Sequence, residues 1–481
     1  MGIWLRALLV PLGYVAVWLG YYLFALFMLR IAFSTRRLPI YLLLASLLVA
    51  QFCMKLIDRY YLVAFSMRSG DESFWLRTLG AYQTTGEIPI EAIAQGPGIF
   101  YLVTATSNFL HFDYGSTLVI LAIGFGSAYV VPAFLLYRVL FKGDERLAFA
   151  TTLLLSMSDV MIYSTTIARP TLFGLFLIPL AVGAFQALRG RFRWRMFGLL
   201  IFVSVLILFV HTPITFVVLL AVVSFTILIF DKTRKWEATY TLILFSSYGI
   251  MLRLFLPDLD RIWRTELFAS YPLDLISAFS GENFFLVFPV VGLGVLALSL
   301  LLPLLTNSGF AKRRSKSIQN GSRRAYYVML VLILMAGLTL GSVVWKYAAY
   351  ILSNYGGVGL FLLLHGWKIP FGVIGLLGLR RVGTRFSRTA NDTILPWLLS
   401  MAVIVATLSV YAPIWARFLG LWNLDERFAE FAYYPAFYFV TLGLNCLATR
   451  LSQRRFHWIL PLIALYTIPS FIVGTSILAF L

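Results

Sequence analysis

The stretch Leu118-Val-Ile-Leu-Ala-Ile-Gly-Phe-Gly-Ser-Ala-Tyr-Val-Val-Pro-Ala-Phe-Leu-Leu-Tyr137 carries no charge, and Arg138, Lys142 and Arg146 follow it closely. A helix needs about 20 apolar residues to cross a hydrocarbon core of roughly 30 Å. This run has that length, and a basic cluster at one end marks the cytoplasmic side of a membrane helix. The pattern recurs through the 481 residues, which are 60% hydrophobic and 12% charged with a mean hydropathy of +0.88. Soluble chains are about 45–50% apolar and about 25% charged. A soluble domain cannot hide so much apolar surface, and disorder demands the opposite composition. A membrane β-barrel would alternate over segments of about 10 residues, which this sequence does not do. The net charge of +19 would point to nucleic acid in a soluble protein. Here the cations sit in short clusters between apolar runs, so nucleic acid is not expected as a partner.

The runs predict an all-α polytopic membrane protein of about 13–14 transmembrane helices, a single membrane domain over 1–481 with no separate soluble domain. The expected spans are 5–33, 38–64, 115–141, 146–165, 168–188, 194–211, 212–230, 237–256, 285–305, 325–353, 358–380, 393–416, 431–449 and 457–480. The fourth, sixth and seventh have few polar residues at their borders, and a shallow hairpin is an alternative there. The run Leu5–Phe33 is too long for a signal-peptide core and shows no small-residue cleavage site, so it is expected to be a retained anchor.

Alternate connections hold the basic residues: 25 of the 39 Lys and Arg lie in seven of them, with only Asp144, Glu145, Asp231, Glu237 and Asp392 for company. The positive-inside rule puts these loops in the cytoplasm, both termini outside, and the protein in the plasma membrane as a multi-pass chain. Cys53 and Cys446 fall inside apolar runs and form no metal motif.

Three outer connections are long, at about 58–114, 256–284 and 412–431, and they hold 14 of the 15 outer acids. Long ordered loops are usually functional. The first contains Ser69-Gly-Asp-Glu-Ser-Phe-Trp-Leu-Arg-Thr-Leu-Gly-Ala-Tyr-Gln-Thr-Thr-Gly-Glu-Ile-Pro89. Phe74, Leu76, Leu79 and Tyr82 recur at helical spacing. Asp71 and Glu72 stand at the head of that run, where the helix dipole favours anions, and Gly86 ends it as a C′ glycine. The expectation is a short amphipathic surface helix, followed from Gly96 by a second interfacial segment too short to span. From composition alone the two acids read first as a helix cap with a solvated neighbour, and second as a general base or metal ligand beside the membrane.

An Asp-Glu pair after an early membrane helix, an amphipathic helix, a Gly, and then Gly96-Pro97-Gly98-Ile99-Phe100-Tyr101 together resemble the first extracytoplasmic loop of the GT-C superfamily of membrane glycosyltransferases. The nearest likeness is to the protein-mannosyltransferase and aminoarabinose-transferase-like branches, whose loop ends in Pro-Pro-Leu-Tyr. Leu155-Ser-Met-Ser-Asp-Val-Met-Ile-Tyr-Ser-Thr-Thr-Ile-Ala-Arg-Pro170 is similar to the family's small-residue, Tyr-Ser, Ala-Arg-Pro segment. His211-Thr-Pro213 resembles an outer turn where relatives carry a His, and Asp425-Glu-Arg-Phe-Ala-Glu-Phe-Ala-Tyr-Tyr-Pro435 resembles their late Arg-containing segment. The chain departs from the family in having an extra N-terminal helix (1–37) before the catalytic loop.

The resemblance implies a GT-C-like fold and transfer of a sugar from a polyprenyl-phosphate donor to a glycan, lipid or protein acceptor at the outer face, with inversion. Asp71 is then the expected general base and Glu72 its orienting neighbour, with the two roles interchangeable. Arg427, Arg169 and Lys346 are the expected cations for the donor phosphate, where fixed positive charge stabilises the leaving group. His211, Tyr163, Tyr101 and Glu426, from the matched segments, are expected at the substrates. No cofactor is assigned, although two adjacent carboxylates are also able to hold a divalent metal. His365 and Lys368 share a helix face within an apolar run and support the alternative, a multi-pass transporter or lipid-linked sugar flippase. A polar cavity at Asp71 and Arg427 favours the transferase, and one at His365 and Lys368 favours transport.

Overall fold

The computed structural model describes residues 3–33, 39–64, 70–89, 96–229, 235–262, 368–379, 393–401, 404 and 424–451. Among them every regular element is helical and none is a strand. The chain opens with α1 (Ile3–Ala32), α2 (Ile40–Ala64), α3 (Gly70–Thr85) and α4 (Gly98–Leu110). Then come α5 (Tyr114–Ala128), α6 (Val130–Leu140), α7 (Glu145–Ser156), α8 (Asp159–Thr166) and α9 (Thr171–Gly190). The next elements are α10 (Trp194–Val210), a π turn over Thr212–Phe216, α11 (Val217–Ile229) and α12 (Lys235–Ile262). Later in the chain are α13 (Lys368–Leu379) and α14 (Leu424–Arg450).

Among the described residues four stretches are long and apolar enough to cross a membrane: Ile40–Ile57, Tyr114–Leu140, Thr171–Gly190 and Glu430–Arg450. The second combines α5 and α6, which join through Tyr129 in a helical conformation. The spans expected at 285–305, 325–353 and 457–480, with Lys346 and His365, lie outside the described residues.

The structure departs from the hydropathy reading at three places. The run 146–165 is two helices, not one. Met157 closes α7, and Ser158 starts α8 by accepting the Met161 N–H on its hydroxyl at 3.2 Å. A serine at this position offers the backbone a cap that competes with a continued helix. Next, α12 runs to Ile262, six residues past the expected border at 256. Finally, α14 begins at Leu424, so Asp425, Glu426, Arg427 and Glu430 belong to a helix and not to a loop. Their acids stand in its opening turns, where the helix dipole favours them.

The helix expected at Asp71–Thr85 and its glycine end are present. α3 carries Asp71 and Glu72 in its first turn and buries Trp75 and Leu79. Gly86 follows it at φ 73°, its N–H bonded to the Tyr82 carbonyl at 2.8 Å. A side chain is strained in that left-handed conformation, and glycine is not.

Apolar packing forms two bodies. The larger draws on α1, α2, α6, α7, α9 to α12, α13 and α14. Within it, α9 contains Pro179, which has no N–H to give the Leu175 carbonyl one turn earlier. The Tyr434 hydroxyl of α14 donates to that carbonyl instead, at 2.5 Å. The smaller body gathers Trp75 and Leu79 of α3, Ile99, Phe100 and Val103 of α4, Leu118 and Ala122 of α5, Ala168, Leu172, Phe173 and Val210. It seats the two short helices of the first loop on the bundle.

Candidate functional site

α8 and its flanking residues, Ser156 to Arg169, form a polar hub. One face of α2 presents Gln51, Lys55 and Arg59, four residues apart, and all three side chains reach this hub or its neighbours. Gln51 donates to the Tyr21 hydroxyl, which pairs with Ser156 Oγ at 2.8 Å. Lys55 Nζ donates to the Ile162 carbonyl and to Thr166 Oγ1, each at 3.0 Å, and to Thr165 Oγ1. These acceptors lie toward the C-terminal end of α8, where the helix dipole favours a cation. Arg59 holds Glu72 by two bonds, Nη1 to Oε2 at 2.5 Å and Nη2 to Oε1. Glu72 Oε2 also accepts the Ala168 N–H at 3.4 Å. Arg169 Nη2 donates to Glu430 Oε1 of α14 at 2.5 Å and to Ser164 Oγ at 3.3 Å.

The five charged residues Lys55, Arg59, Glu72, Arg169 and Glu430 are only 1, 6, 2, 5 and 5% exposed. Charges so buried persist only when paired and hydrogen-bonded. The backbone is equally tight. A Cβ added at Gly126 of α5 would meet the Thr165 carbonyl oxygen at 2.0 Å. A Cβ at Gly96 would meet the Val210 oxygen at 2.4 Å, and one at Gly98 would meet the Phe209 ring at 2.4 Å. The Gly-Pro-Gly turn therefore lies directly on the end of α10.

His211 sits at that end, 1% exposed, with Nδ1 2.7 Å from Thr215 Oγ1 inside the π turn. It is built into the helix break. Tyr101 is 54% exposed and stacks on Phe209 at 5.8 Å between ring centroids.

The structure thus joins the four short segments singled out in the sequence. Glu72 of the first bonds Ala168 of the second, and Arg169 of the second pairs with Glu430 of the fourth. Gly96 and Gly98 of the first close on Phe209, Val210 and His211 at the third. Asp71 is the residue before Glu72 in α3, Tyr163 lies in α8, and Glu426 and Arg427 lie in the opening of α14. The side chains of Asp71, Tyr163, Glu426, Arg427 and Lys368 lie outside the described residues, as does all of Lys346.

Lys55, Arg59 and Glu430 were not among the expected site residues. The i, i+4 spacing of Gln51, Lys55 and Arg59 in a mostly apolar run is a signal from which the first two could have been found. Both Glu72 oxygens accept from the Arg59 guanidinium. Among the described residues no three His, Cys, Asp or Glu side chains gather. No family model, no curated protein and no solved structure matches the chain.

Proposed function

We propose that the chain is a multi-pass membrane glycosyltransferase with a GT-C-like fold, moving a sugar from a polyprenyl-phosphate donor to an acceptor at the extracytoplasmic face with inversion. The observation that supports this reading is the meeting of the first, second and fourth segments at α8 and its flank, with the third closed onto the first. A transferase of this kind needs its acid-bearing loop, its Ala-Arg-Pro segment and its late Arg segment at one place, although they are far apart in sequence.

In this reading Asp71 is the catalytic base. It takes the proton of the acceptor hydroxyl as that oxygen attacks the anomeric carbon and the bond to the lipid phosphate breaks. Glu72 is a positioning residue: its two bonds to Arg59 and one from Ala168 fix the backbone that carries Asp71. Arg169 carries the same function on the other side, tying the second segment to α14 through Glu430. Arg427, three residues before Glu430, is assigned to the phosphate that leaves with new negative charge. His211 shapes the floor beneath the Gly-Pro-Gly turn, and Tyr101 offers an exposed ring for a sugar or lipid.

The test is incubation of the purified chain with a panel of polyprenyl-phosphate sugars, reading released lipid phosphate. One donor is expected to turn over. Asp71→Asn is expected to lower the rate by at least about 10²-fold, the lower end of the worth of a general base, with the melting temperature unchanged. Full activity in that variant removes Asp71 as the base, and turnover of no donor removes the proposal.

A further inference from the structure

At the basic ends of α6, α9 and α10 the bundle leaves a groove of about 440 Å³, a size in the ordinary range of roughly 300–1,000 Å³ for small-molecule sites. Its wall is apolar, with Leu135, Val139, Leu180 and Leu199 among its members, and among the described residues its only charged members are Arg138 and Lys142. Leu135, Val139 and Leu199 are 43, 37 and 43% exposed, so the groove opens along the side of the bundle. Trp194, at the start of α10, is 77% exposed beside the exposed Arg191, Arg193 and Arg195. Exposed Trp and clustered Arg are the residues that settle at a membrane–water boundary.

The backbone at Lys142 adds an independent sign. The Lys142 N–H bonds the Val139 carbonyl at 3.1 Å and the Gly143 N–H bonds the Arg138 carbonyl at 2.8 Å, the two bonds of a Schellman helix end. Glycine normally fills the left-handed position of that motif, yet Lys142 occupies it at φ 55°. An L residue there costs roughly 1–2 kcal/mol, and a broken local rule of this kind points to a side chain retained for its charge. Arg138 gives Glu145 one bond at 3.0 Å, and its side chain stays 44% exposed. A guanidinium has five donors, so this pairing does not exhaust it.

We infer that this groove binds one phospholipid with a net negative headgroup, an acyl chain lying on Leu135, Val139 and Leu199 and the phosphate on Arg138 and Lys142. An apolar trough that ends in two cations, with no acid among its described lining residues, matches an acyl chain joined to an anionic phosphate. The inference rests on the membrane reading of the chain.

It is tested on the full chain by native mass spectrometry from detergent, titrating phosphatidylglycerol against phosphatidylcholine of the same acyl composition. One phosphatidylglycerol is expected to stay bound at concentrations where phosphatidylcholine does not. Lys142→Gln is expected to weaken it about five-fold, the worth of one basic residue at an anionic surface. Leu199→Trp, at an exposed position that leaves the cations and the Glu145 pair in place, is expected to abolish retention of the lipid by filling the trough. Equal retention of the two lipids, or wild-type retention in both variants, overturns the inference. Alkaline carbonate extraction separates the two ideas. A chain that stays in the pellet without lipid selectivity defeats this inference alone, whereas a chain released into the supernatant defeats it together with the membrane reading.

Discussion

The two ends of the bundle treat charge differently, although the exposed end also keeps one buried pair, Arg189 with Glu237 at 2.9 Å. Around α8, two carboxylates and three cations are withdrawn from solvent; Arg59–Glu72 ties α2 to α3, and Arg169–Glu430 joins segments 261 residues apart. At the end where α6 meets α7, Arg138 and Glu145 pair at 3.0 Å with side chains 44 and 29% exposed, and most of the neighbouring arginines face outward. Exposed pairs of that kind are worth about 0–1 kcal/mol, whereas breaking a buried pair costs about 3–5 kcal/mol because one charge is left alone. At the first end charge is used mainly to fix geometry, and at the other most of it is left exposed.

Arg59→Ala puts that contrast at most risk. It leaves Glu72 buried without its guanidinium, and about 3–5 kcal/mol of stability is expected to go. Arg138→Ala is expected to lose less than about 1 kcal/mol. Unfolding in detergent followed by circular dichroism compares them directly. Similar losses would erase the distinction between the ends. Because Glu72 holds the backbone at Asp71, Arg59→Met with Glu72→Leu is expected to recover stability without recovering transfer.

A change at Gly126 is smaller and purely steric. A methyl group 2.0 Å from the Thr165 carbonyl forces α5 and α8 apart, so Gly126→Ala is expected to cost about 1–3 kcal/mol, the usual range for overpacking. Thr165 also accepts from Lys55, so the thermal shift should combine non-additively with Lys55→Met. Additive shifts would mean that α8 is not one rigid unit.

Much of this contrast was legible in the sequence, but unevenly. The lengths of α1, α2 and the Tyr114–Leu140 span follow from apolar run length, and α3 with its closing Gly86 follows from local turn chemistry. The break between α7 and α8 was present as Ser158, a cap residue in the polar gap Ser156-Met-Ser-Asp159, but the apolar residues on either side concealed it. The early start of α14 was present in the acids Asp425 and Glu426, a helix-start signal read as loop polarity. Partner choice was not legible at all. Nothing near Glu430 in the chain says that Arg169 is its partner, because such pairing is decided by the packing of distant helices. The same holds for Tyr434, whose hydroxyl serves a carbonyl that Pro179 leaves without a donor.

That last bond gives the next effect in size. Tyr434→Phe keeps the ring stacked against Trp397 at 5.5 Å and removes only the hydroxyl. A buried carbonyl is then left unsatisfied, at a cost of about 1–3 kcal/mol. In a Pro179→Ala background the helix supplies its own N–H to Leu175, so the penalty should nearly vanish. A penalty of the same size in both backgrounds would show that the hydroxyl is not compensating for the proline.

The smallest expected effect concerns Asp113, which caps α5 by accepting the Ser116 N–H at 2.9 Å. Its carboxyl is held below the usual carboxylate value, first by the Ser116 hydroxyl and then by the Ser116 backbone. A group whose folded pKa is depressed adds stability that is complete above its unfolded value, here 3.8, and is lost as pH falls through the lower folded value. Asp113→Ala is therefore expected to cost about 1 kcal/mol at pH 7, the ordinary worth of an N-cap. The difference from wild type should narrow steadily below pH 4 as the carboxyl protonates. Asp113→Asn retains the acceptor without the charge, so its stability relative to Asp113→Ala should not change over the same range. If all three chains kept constant differences down to pH 2, the carboxylate would be adding nothing that its neutral form does not. The contrast between the ends would then rest on the buried pairs alone.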